Sequence, residues 1–188
     1  MKKIFAVVLA VMITGSVFAM DFTKWNSSLE DSSWIIDAGV GYGLGVAVPV
    51  SAEYLLPIDF PIGVLFEVTP SWHNTRVGTG YGSIQTNNFW LNFLTGVNYH
   101  PDFGLENMDL YLGVKMGYVQ LFQKITAVGG EPYPGAGVVV PDTVSKASAG
   151  TFAFGTQIGF TYYFTDYIGI DVRAGYPTYI SVSAAFKL

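Results

Sequence analysis

The 188-residue sequence contains no cysteine. That excludes a disulfide framework and a lipid anchor attached through a thiol, so stability must come from packing and hydrogen bonding. Charge is scarce too. Only 12% of residues are Asp, Glu, Lys or Arg, with a mean hydropathy of +0.39, whereas a soluble domain usually carries about 25%. Nine basic against 14 acidic residues give a net charge of −5, which excludes the basic footprint of a nucleic-acid binder. Long apolar runs are also missing: the longest, Ile4 to Ile13, is short of the ~20 residues a membrane helix needs. Much of the surface must therefore meet something other than water without a helix doing so.

What is present begins with Met1-Lys2-Lys3, the apolar run and a small-residue exit ending at Ala19. This is the pattern of a secretory signal peptide over residues 1–19. Its removal would take Lys2 and Lys3 with it and move the net charge from −5 to −7. Residues 20–32 are polar and aperiodic and read as a flexible periplasmic lead-in. Residues 33–188 form the domain.

Within that domain eight runs alternate with period two: Trp34 to Tyr42, Val46 to Tyr54, Gly63 to Trp72, Phe89 to Tyr99, Leu110 to Tyr118, Phe152 to Phe164, Ile170 to Tyr176 and Tyr179 to Leu188. Each can be phased with one apolar face, the signature of a half-buried strand. His73 to Asn87 and Gln123 to Ser148 read as long outer loops, and Pro49 and Pro70 are expected near a rim or bulge. The last run, with Ile180, Val182, Phe186 and Leu188 on one face, ends in mid-strand, and a closed barrel removes the open edge this would leave. The expected fold is all-β, an eight-stranded antiparallel up-and-down transmembrane β-barrel.

Size decides which face points inward. An eight-stranded barrel has room inside for a limited set of side chains, and stripes of Phe, Trp, Leu and Ile would overfill it. The apolar face is therefore expected to face lipid. Trp34, Tyr54, Tyr99, Tyr162 and Phe186 then fall at one membrane interface, and Tyr42, Trp72, Phe89, Tyr118, Phe152 and Tyr176 at the other, where amphipathic rings are favoured. The charges Asp37, Glu53, Glu67, Lys115, Asp171, Arg173 and Lys187 fall inside, with Arg173 and Lys115 paired to carboxylates as an interior network.

The signal peptide, the strand-turn-strand from Ser51-Ala-Glu-Tyr54 to Ile62-Gly-Val64, and the closing Phe186-Lys-Leu188 resemble the small outer-membrane β-barrel family that includes OmpX, OmpW, the opacity proteins and the membrane half of OmpA. The resemblance implies residence in the outer membrane among its lipid. It also implies insertion by the barrel-assembly machinery, which reads the last strand through Ile180, Val182, Phe186 and Leu188. This chain ends in Leu188 where the family usually ends in an aromatic residue.

The functional expectation is a structural or surface-contact protein, without enzymatic activity, cofactor or metal. The alternative is a narrow, cation-preferring channel for small, possibly hydrophobic, solutes, and the apolar stretch Ile125 to Val140 could serve either such a solute or a surface partner. A lipid A-modifying enzyme is the third reading. It would need His73 to activate Ser71, and no orienting carboxylate lies near them in sequence.

Overall fold

The computed structural model describes residues 21–29, 32–79, 82–129 and 142–188. The proposed signal peptide, residues 1–19, and most of the apolar stretch Ile125 to Val140 lie outside these residues. Eight staves run in chain order. They are β1 (Trp34–Gly43), β2 (in two pieces, Val46–Ala47 and Val50–Leu55), β3 (Ile62–Thr79), β4 (Gly82–Tyr99), β5 (Met108–Gly129), β6 (Thr143–Tyr163), β7 (Ile168–Gly175) and β8 (Thr178–Lys187). Every neighbouring pair is antiparallel, and β8 pairs back onto β1 through Val182 opposite Val40 and Ala184 opposite Ala38, closing the ring.

Alternation does what the sequence pattern requires. In β7 the residues Ile168, Ile170 and Val172 point outward while Asp171 and Arg173 are buried inside. Outward Phe152 and Phe154 are 77% and 73% exposed. An apolar surface of this extent is stable where a bilayer covers it, and closure satisfies the strand hydrogen bonds that lipid could not.

Outward rings lie near both ends of the staves. On the side of the termini, Trp34 packs on Tyr54 with centroids 4.9 Å apart, and Tyr99 stacks on Phe60. On the opposite side Trp72, Phe89 and Phe122 form a continuous row, and Tyr118 meets Phe152 edge-on. Tyr162, Phe186, Tyr42 and Tyr176 are also outward and exposed.

Two expectations are corrected. The stretches His73 to Asn87 and Gln123 to Ser148 were expected as loops, yet their described residues are mostly strand. β3 and β4 are 18 residues long and β5 and β6 are 22 and 21, where ~9–11 suffice to cross a bilayer. The four strands continue past the aromatic row as a projecting sheet. Both faces of that sheet meet water, so no apolar alternation marks it. Its Thr, Val and Ile residues, such as Thr75, Val77, Thr86, Ile125 and Val144, still favour extended backbone.

The second correction concerns the lead-in. Asp21–Trp25 is a short strand paired with Pro101–Asp102, and Ser27–Leu29 is a 3-10 turn. Together they lie against the mouth of the barrel instead of trailing from it. Leu29 packs with Ile35, Leu55, Tyr163 and Ala185, and Asn26 receives no solvent at all. Asn26 donates through its backbone to the His100 carbonyl and through its side chain to that of Met108.

Pro70 sits within β3 opposite Leu91, and it and Pro49 flank a break in the ladder, one of the two places expected for them. Pro70 has no N–H to give β2, and β2 is interrupted beside it at Val48-Pro49, where the Val48 N–H bonds the Pro70 carbonyl.

Candidate functional site: the barrel interior

Inward positions from all eight staves bring polar side chains together. Asp37 in β1, Ser51 in β2 and Glu67 in β3 lie side by side in one row. Arg173 reaches them from the far wall. Its Nη2 lies 2.9 Å from Asp37 Oδ2 and 3.2 Å from Asp171 Oδ2, and its Nη1 lies 3.5 Å from Glu67 Oε2. Arg173 Nε donates to the Tyr111 hydroxyl at 2.6 Å, and that hydroxyl donates to Asp171 Oδ1 at 2.9 Å. Lys115 completes the cluster by donating to Glu67 Oε2 at 2.8 Å.

This cluster is buried. Arg173 is 6% exposed, Lys115 4% and Glu67 3%. Buried charge is tolerated only when paired and hydrogen-bonded, and each carboxylate here also accepts from a hydroxyl: Ser51 to Asp37, Thr69 to Glu67, Thr161 to Asp171. Tyr111 fits because its neighbour in β6 is Gly159, where a Cβ would stand 2.0 Å from the Tyr111 ring carbon that bears the hydroxyl. Leu65, Leu94 and Val119 fill inward positions as well.

A second cluster lies at the mouth on the side of the termini. His100, one residue beyond the end of β4, is held between two carboxylates, with Nε2 2.8 Å from Glu53 Oε1 and Nδ1 2.8 Å from Asp109 Oδ2. Asn98 donates to Glu53 at 2.6 Å and accepts from Gln157 at 2.7 Å. Burial of the imidazole by itself would lower its pKa, but Asp109 and then Glu53 outweigh it and hold His100 up at about 10. The ring is therefore held as a cation between the two carboxylates at neutral pH. Trp25 of the N-terminal strand stacks over it at 6.2 Å, covering the cluster from the mouth.

Of the charges assigned to the interior from sequence, Asp37, Glu67, Lys115, Asp171 and Arg173 meet in the central cluster, and Glu53 belongs to the one at the mouth. Lys187 also turns inward, but to the N-terminal segment, where its Nζ donates to the Ser28 carbonyl and lies 4.2 Å from the Tyr163 ring centroid. His100 and Tyr111 were missed. Tyr111 hides behind the apolar character of β5, and the clue to His100 was its position immediately after a strand whose inward face carries Asn92 and Asn98.

The hydrolytic arrangement is not formed. His73 Nε2 lies 3.0 Å from Thr75 Oγ1, and Ser71 Oγ has no hydrogen-bond partner. Among the described residues no group of His, Asp and Glu is arranged to hold a metal ion.

No protein-family model matches this chain. No curated protein matches it either. Among solved structures it is similar to Ail, the attachment invasion locus protein of Yersinia pestis, with 11% identity over 82% of this chain and 94% of that one and a TM-score of 0.46. It is similar to the N-terminal β-barrel domain of Pseudomonas aeruginosa OprF, with 14% identity over 84% and 98% and a TM-score of 0.45. A de novo designed transmembrane β-barrel gives 15% identity over 84% and 96% and a TM-score of 0.46.

Proposed function

We propose that this chain is an integral outer-membrane protein whose closed barrel anchors the projecting sheet of β3 to β6 at the cell surface, for a structural or contact role without catalysis. The observation that supports the proposal is the buried, paired charge cluster that spans the interior. Arg173 ties β7 to β1 and β3 through Asp37 and Glu67, and the N-terminal segment covers the mouth below. A polar conduit needs mobile or hydrated charges, and these are buried and paired. The pattern of residues 1–19 supports export with a cleaved leader. The outward Ile180, Val182, Phe186 and Leu188 of the closing strand are what the barrel-assembly machinery would read.

Planar-bilayer recording of the purified protein tests this reading. The expected result is no discrete conductance. Steady, cation-preferring steps would overturn it and restore the channel.

A further inference from the structure

The outward face of the projecting sheet has a feature that anchoring does not account for. Asn74 is opposite Asn87, Asn87 opposite Lys124, and Lys124 opposite Lys146, so the four form one row across β3 to β6. That row lies two residues, about 7 Å along the strands, beyond the row of Trp72, Phe89, Phe122 and Ser148. Like charges set directly across two strands repel. Neither lysine side chain has a hydrogen bond or ion pair with another described residue. Arg76, one step further, is on the same face, and the one carboxylate among the described residues beyond the aromatic row, Asp142, stands at the far tip, where it accepts from the Gly129 N–H. In a chain of net charge −5, these three cations on one face above the aromatic row are a local reversal of sign.

The space beneath the lysines is shaped as well. Ser148 stands where the aromatic row would have its fourth member, and a hollow of about 470 Å³ opens among Trp72, Phe89, Phe122, Lys124, Lys146 and Ser148. Further down the same strands a groove of about 720 Å³ is lined by Val64, Val97, Val114, Met116 and Phe154. From Phe122 to Met116 is six residues of β5, roughly 20 Å of strand, which puts the groove at acyl-chain depth.

We propose that this face binds a phosphate-bearing membrane lipid, with the phosphate between Lys124 and Lys146, the headgroup against the aromatic hollow and an acyl chain reaching the groove at Met116. An anion between the lysines turns their repulsion into two charge-assisted hydrogen bonds. The site rests on the reading that the outward face lies in a membrane.

Native mass spectrometry of the detergent-solubilised protein with diphosphorylated lipid A as the probe tests the site. Wild type should retain the lipid at least about ten-fold better than the double variant Lys124→Gln/Lys146→Gln, as expected for loss of charge-assisted contacts. Lys124→Arg/Lys146→Arg should retain it like wild type, and fully dephosphorylated lipid A should bind wild type and the Gln variant alike. Equal retention of the diphosphorylated lipid by both, in protein that still needs detergent, overturns the site and leaves the membrane reading standing. Displacement of the lipid by inorganic phosphate at equal concentration would assign the lysines to free anions and overturn the lipid. A chain that stays in solution without detergent would remove the membrane reading itself.

Discussion

Replacing Arg173 by Met removes the one cation that faces both Asp37 and Asp171. Glu67 keeps Lys115, but the other two carboxylates are left buried with hydroxyl partners only. Because Arg173 is 6% exposed, solvent does little to soften the loss, and breaking such a pair from one side costs about 3–5 kcal/mol. With a urea slope of ~2 kcal/mol per molar, the unfolding midpoint should fall by about 2 M. Tryptophan fluorescence of protein refolded into lipid vesicles reads this, with the loss of the compact band on unheated gels as a second readout. The triple variant Arg173→Met/Asp37→Asn/Asp171→Asn should recover most of the loss, since the stranded charges are gone. A shift below ~0.5 M for Arg173→Met would refute the reasoning, because it would mean that the carboxylates already reach water.

Three further outcomes are expected. Phe154→Arg, on the outward face at mid-stave, should destabilise the barrel by about 2–4 kcal/mol in vesicles, and an unchanged urea midpoint would place that face out of lipid. Gly159→Val should cost about 1–3 kcal/mol, because the new Cβ lands on the Tyr111 ring, and fluorescence-monitored unfolding reads that loss. His100 is held at about 10 in the folded chain, against an ordinary value near 6.5. Its stabilising contribution is therefore complete below pH ~6.5 and is lost as pH rises through about 10. Urea midpoints measured from pH 6 to 11 should show that decline in wild type and not in His100→Gln.

The barrel itself was legible in the sequence because lipid imposes the strictest alternation. Ile168, Ile170 and Val172 against Asp171 and Arg173 admit only one phase. The projecting sheet was not, since Asn74, Thr75 and Arg76 meet water on both sides and leave no period to read. The interior charges could be named but not paired. Which carboxylate meets Arg173 depends on the register across β7, β8, β1 and β2, which only ring closure sets. His100 escaped for a related reason: its partners Glu53 and Asp109 come from two different staves, and nothing local to Tyr99-His100-Pro101 announces them. The lead-in looked flexible because its anchors, the His100 and Met108 carbonyls, are backbone groups without a sequence signature.

The tether from Arg173 to β1 and β3 also bears on how the staves select their alignment. If β7 slipped by one position between β6 and β8, Arg173 and Asp171 would swing into hydrocarbon and Ile170 and Val172 into the buried centre. Stranding the guanidinium and the Asp171 carboxylate in hydrocarbon would make that misaligned cylinder costly, so the same pair that holds the interior together also favours one alignment.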